Sequence, residues 1–148
     1  MSRQNRYIAV LEKLLTHLKN SKLEYFKASD HAIHPEKKRF YNQQGLLRNR
    51  FFQDVLRELQ KLGMSTDDLV LNRFNFDQLL ISSIDTLKTS AIEKYVNADE
   101  TLLSIYAELE DLSDKSNSFK HHTNHLEDAI SQNKEWVSTF GLKSSNSY

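Results

Sequence analysis

The only proline in the sequence, Pro35, and a glycine 28 residues later, Gly63, bracket a run whose apolar residues recur with the period of a helix. Pro35 fits a first turn, where a missing N–H costs nothing and the fixed φ already suits a helix. Glu36 then lies at the positive end of the helix dipole and Lys61 near the negative end. Gly63 follows the last apolar residue, the position at which a left-handed residue closes a helix. Phe40, Leu47, Phe51, Val55, Leu59 and Leu62 form one stripe, and Leu46, Phe52 and Leu56 widen it. A helix this broadly apolar must be covered from more than one side. The cover has to come from other helices, because one proline and three glycines in 148 residues leave a sandwich or barrel without turns. The sequence predicts an all-α fold.

A chain of this length fits one domain and can bury a core without staples, and it has no cysteine to form any. No stretch has the apolar length of a signal peptide or a membrane span, so a soluble, cytoplasmic protein with no membrane contact is expected. The formal net charge is zero but unevenly spread. Residues 1–63 carry 13 basic and 6 acidic side chains, and residues 64–148 carry 7 and 14. Without a clustered basic face or a net positive charge, nucleic-acid binding is not expected. A basic hairpin lying beside an acidic one, within one chain or across a dimer, accounts for the split.

Apolar spacing predicts helices at about 4–31, 35–62, 75–87, 89–112 and 119–140, in a single domain 1–140 with 141–148 as a flexible tail. In the first, Leu11, Leu14, Leu18, Tyr25, Ala28 and Ala32 mark one face, and Ser21 lies in the same stripe. The short turn after it predicts an antiparallel hairpin with the second helix. Gly45, inside the second, costs about 1 kcal/mol relative to alanine, which close packing or a local bulge would explain. Asn75 and Gln78 fit the capping box of a short amphipathic helix. In the next helix, Asp99 interrupts the stripe formed by Ile92, Tyr95, Val96, Leu102, Tyr106 and Leu109. The spacing stays in phase across it, which predicts one continuous helix; a fresh start at Asn97 is the alternative. Gly141 is expected to close the last helix. Four long helices with a long crossover between the second and third, carrying the short extra helix, describe a four-helix bundle of ferritin-like topology.

Two segments carry a resemblance: FFQDVLRELQKLG, from Phe51 to Gly63, and AIEKYVNADETLLSIYAEL, from Ala91 to Leu109. Together they resemble the ferritin-like bundles of a widespread bacterial domain-of-unknown-function family, over about Arg6 to Phe140. The resemblance implies the ferritin-like fold; the family carries no established activity to transfer. Wider ferritin-like enzymes hold two metal ions with helix-borne carboxylates and two E-x-x-H pairs. This chain contains no E-x-x-H and places Leu46 and Leu47 before Arg48, where the family tends to polar or acidic residues. Asp99 matches an acidic position of the family's third helix, and Glu24 falls at the corresponding level of the first.

A carboxylate on an apolar stripe is costly unless compensated. Asp99 can be compensated by Arg48, by partial exposure at a helix seam, or by a metal. His121, His122 and His125 cluster as H-H-x-x-H. His121 and His125 share a face at a spacing that suits zinc, nickel or copper, although two solvated histidines account for it more simply; His122 falls on the Phe119–Leu126 stripe. No phosphate loop, nucleophile elbow or Ser-His-Asp set is present. The expectation is therefore a non-catalytic bundle without a cofactor, acting through homo-oligomerisation, a dimer first, or through a protein partner. The alternative is an iron- or manganese-binding bundle with a degenerate ligand set of Glu24, Asp99 and His122.

Overall fold

The structure is a computed structural model that describes residues 2–65, 89–112 and 119–146. Among them are four helices and no strand: α1 (Arg3–His31), α2 (Pro35–Lys61), α3 (Thr89–Leu112) and α4 (Lys120–Asn146). The Ser2 hydroxyl caps α1 by accepting the Asn5 amide at 3.1 Å. Pro35 opens α2 after a three-residue turn, as its position predicted. Gly63 closes that helix with φ at 92°. Its N–H donates to Gln60 C=O at 3.0 Å, and the Met64 N–H donates to Leu59 C=O at 3.1 Å, the paired bonds of a Schellman motif.

Helix α3 runs unbroken through Asn97 and Asp99, so the alternative start at Asn97 is not used. Helix α4 passes the expected stop at Gly141 and continues to Asn146. A single interior glycine costs only about 1 kcal/mol, and no proline follows to enforce the break. The predicted helix at 75–87 and the predicted crossover around it lie outside the described residues. No described helix is long and apolar enough to cross a membrane.

Side-chain contacts set the directions. Tyr7 meets Glu58 and Ser29 meets Lys38, so α1 and α2 are antiparallel. Arg3 donates to the Asp111 and Leu112 carbonyls at the far end of α3, so α1 and α3 are antiparallel as well. His122 lies by Asp54 and Trp136 by Phe40, which runs α4 antiparallel to α2. Helices α2 and α3 therefore point the same way from opposite corners of the bundle, as do α1 and α4.

The core has two apolar parts. One is aliphatic and gathers Leu11, Leu14 and Leu18 with Phe51, Val55, Leu59, Leu102, Ile105 and Leu126. The other is aromatic, with Tyr25 stacked on Tyr95 and Tyr41 tilted against both, beside Phe40 and Trp136. Every helix thus changes from one core to the other, and polar side chains occupy the waist between them.

Gly45 faces Phe26 of α1: a Cβ at this position would stand 2.5 Å from two carbons of its ring. Close packing is thus the compensation for a glycine inside a helix. Gly45→Ala is expected to lower stability by about 1–2 kcal/mol, because overpacking outweighs the gain in helix propensity. Urea denaturation checks this, and Gly45→Ala combined with Phe26→Ala should lose the clash. A Gly45→Ala protein more stable than the parent would show that the ring moves aside at no cost.

Candidate functional site

The waist contains a buried ion pair. Arg48 and Asp99 have fully buried side chains, and Arg48 Nη2 donates to both carboxylate oxygens at 3.0 Å. Arg48 Nη1 donates to Gln44 Oε1 at 2.9 Å, one helical turn back on α2. The Tyr25 hydroxyl donates to Asp99 Oδ2 at 2.8 Å and accepts from Asn133 Nδ2 at 3.3 Å. The guanidinium carbon lies 5.0 Å from the centre of the Tyr25 ring, within cation–π range. All four helices contribute to it, α2 with both Gln44 and Arg48, and the network spans opposite corners: α2 to α3 through the ion pair, α1 to α4 through Tyr25 and Asn133.

Burial pushes the Asp99 carboxyl up, and Arg48 and the Tyr25 hydroxyl pull it back. Burial would lower Arg48, but the Asp99 charge, Tyr25 and the hydrogen bonds to Asp99 together outweigh it and keep the guanidinium protonated. The Tyr25 hydroxyl is pushed well above the ordinary value by burial and by Asp99, so it acts as a donor. Arg48 Nε, Asn133 Oδ1 and the Tyr41 and Tyr95 hydroxyls are buried with no hydrogen-bond partner among the described residues. Such a network organises the core at an energetic cost.

A second polar group lies where α4 starts. The buried His122 ring stacks on Phe51 at 4.0 Å. Its Nε2 lies 2.8 Å from Asp54 Oδ2, and its Nδ1 lies 2.7 Å from the Tyr106 hydroxyl. A carboxylate only accepts, so Nε2–H donates to Asp54 and the Tyr106 hydroxyl donates to Nδ1. Burial drives His122 down to about 4, against the pull of Asp54. Burial alone would raise Asp54, yet hydrogen bonds from His122 and Arg57 hold it below the usual carboxylate value. The exposed His121 places its Nε2 3.6 Å from the same Asp54 oxygen.

The three residues expected as metal ligands fall in different places. Asp99 belongs to the waist. His122 belongs to the Asp54 group, which is six residues or about 9 Å of helix rise further along α2 than Arg48. Glu24 is half-buried on α1, where its charge helps raise the Tyr95 hydroxyl. Among the described residues, the histidine and carboxylate donors brought within 4.8 Å of one another are Asp54, His121 and His122. His125 is not part of that set. The waist does not fit the dinuclear centre that a ferritin-like frame implies, because a guanidinium already holds both oxygens of its carboxylate.

Sequence reasoning missed Asp54, Tyr25, Gln44 and Asn133 as network members. Asn133 had a signal: it occupies the inward face continued from Leu126, Ala129 and Ile130. Compared with known proteins, the chain matches no family model, no curated protein and no solved structure.

Proposed function

We propose that this protein is a non-catalytic, ferritin-like helical bundle that works by association, with a second copy of itself as the first partner. Support for the ferritin-like frame comes from the parallel course of α2 and α3, flanked by two antiparallel hairpins. Support for a non-catalytic core comes from the waist, where Arg48 supplies the positive charge that a metal would bring to Asp99.

The observation that carries association is the division of charge between the hairpins. Residues 2–65 hold 13 basic and 6 acidic side chains, whereas α3 and α4 together hold 4 and 9. On α3, Glu93, Glu100, Glu108, Glu110 and Asp111 are all exposed. The α2 surface offers exposed Lys38, Arg39, Arg50 and Arg57, with Leu46 among them at 55% exposure. Two copies related by a twofold axis bring each basic hairpin against an acidic one, which lowers the repulsion within both.

Sedimentation equilibrium at high micromolar concentration is expected to show a dimer that weakens in molar salt, where surface charges are screened. Leu46→Glu is expected to weaken it at least tenfold, since about 1.4 kcal/mol is a factor of ten. The same change leaves thermal unfolding of the monomer unaltered, because the side chain lies on the outer face. A strict monomer at high micromolar concentration would remove this reading.

A further inference from the structure

We propose that Asp54, His121 and His122 form a binding site for a divalent first-row transition metal, with zinc the ion that the donor set fits best. The site is separate from the waist and stands whether or not the chain dimerises.

The donors come from two helices, Asp54 from α2 and the two histidines from the first turn of α4. Asp54 Oδ2 lies 2.8 Å from His122 Nε2 and 3.6 Å from His121 Nε2. An ion with bonds of about 2.0–2.2 Å in tetrahedral geometry needs donors about 3.3–3.6 Å apart. One distance lies below that range and one at its upper end, and all three donor atoms lie within 4.8 Å of one another, so side-chain movements can close the set. Two imidazoles and a carboxylate match the ligand preferences of zinc and its neighbours, whereas calcium and magnesium call for more oxygens.

The surroundings resemble the outer shell of a metal site. A ligating histidine usually has its second ring nitrogen hydrogen-bonded, and here Tyr106 holds His122 Nδ1 at 2.7 Å. Stacking on Phe51 fixes the ring plane. Arg57 pairs with Oδ1 of Asp54, which leaves Oδ2 to face the histidines. When an ion takes His122 Nε2, the proton there gives way and Nδ1 becomes the donor, with the Tyr106 oxygen accepting. No change in total charge on the imidazole is needed. His121, at 60% side-chain exposure, opens the site to solvent, so water fills the fourth position.

The cation meets two adverse charges, the positive end of the α4 dipole and the Arg57 guanidinium on Asp54 Oδ1, both on the exposed side of the site. The Asp54 charge opposes them at bonding distance.

The test is a calorimetric titration of chelator-stripped protein with zinc chloride, alongside visible spectra with cobalt(II). One zinc per chain and an intense tetrahedral cobalt spectrum are expected. His121→Ala, an exposed change that leaves the core intact, is expected to weaken zinc at least tenfold. Tyr106→Phe removes only the hydroxyl behind His122 and is expected to weaken zinc about tenfold. His125→Ala is expected to bind as the parent does. Absence of binding, or binding that survives His121→Ala, overturns the site. Loss in His125→Ala would mark a surface His121–His125 pair, and parental affinity in Tyr106→Phe would remove the buried histidine as a ligand; either result also overturns it.

Discussion

Asp99→Ala is expected to destabilise the protein by about 3–5 kcal/mol, the range for removing one partner of a buried ion pair. The change leaves the Arg48 guanidinium in a core that water does not reach and takes the acceptor from the Tyr25 hydroxyl. For a chain of this size the melting temperature falls by roughly 2–4 °C per kcal/mol, so a loss of order 10 °C is expected. Arg48→Met is expected to cost a similar amount, because it leaves the Asp99 carboxylate buried without its cation. Arg48→Met combined with Asp99→Leu should recover most of either single loss, the remainder reflecting the Tyr25 hydroxyl and Gln44 Oε1 that lose these partners. Desolvating both charges costs nearly as much as their attraction returns, and apolar residues of similar volume avoid that cost. Arg48 Nε points the same way, being buried without a hydrogen-bond partner among the described residues. Denaturant unfolding of the parent, Arg48→Met, Asp99→Leu and the double variant closes the cycle and measures the coupling directly. Single changes that cost under 1 kcal/mol would show that the pair does not hold the waist together.

The pairing of Arg48 with Asp99 was among the readings open from sequence, because a carboxylate inside an apolar stripe demands a partner. The same logic could not select the partner. Arg48 lies within the broad stripe of α2, but whether it meets α3 depends on those helices occupying opposite corners of the bundle. That arrangement is tertiary and leaves no period in either segment. Tyr25 shows the limit from the other side. Its ring fits the α1 stripe so well that a core role explains it fully, although a buried hydroxyl still needs a partner. Asp54 left even less trace, being one residue before Val55 and solvent-facing by periodicity. It becomes part of a site only because α4 begins beside it. Gly45 was better marked: a glycine inside a helix predicts either a close neighbour or a bulge, and Phe26 is the neighbour. The helices themselves were the most readable feature, since Pro35 and Gly63 state their boundaries in residue chemistry. Gly141 has the same chemistry as Gly63 without the closing bonds, and α4 runs through it.

Between pH 6.5 and about 4 the metal-free protein is expected to lose about 3 kcal/mol of stability through His122 alone. The sign follows from the direction of its shift. Burial depresses the folded-state value from 6.5 to about 4, against the opposing pull of Asp54. Above pH 6.5 both folded and unfolded states hold the imidazole neutral, and the full contribution is present. As pH falls below that, the unfolded chain binds a proton that the folded chain refuses, and stability drops until the folded group titrates as well. A shift of that size corresponds to about 1.4 kcal/mol per unit, hence the roughly 3 kcal/mol. Asp54 acts in a lower window: its depressed value adds stability above its ordinary 3.8 that disappears only as pH falls further. His17, also lowered by burial and by Lys13, slopes in the same direction as His122, so the parent profile alone does not separate them. Urea unfolding with chelator present, run across this range on the parent and on His122→Gln, isolates the difference. Glutamine can still hydrogen-bond Asp54 but cannot titrate. Its profile should therefore be flatter than the parent's from pH 6.5 to 4, by about the same 3 kcal/mol. Parallel profiles would mean that the imidazole reaches water in the folded protein and that the Tyr106–His122–Asp54 chain is not closed in solution.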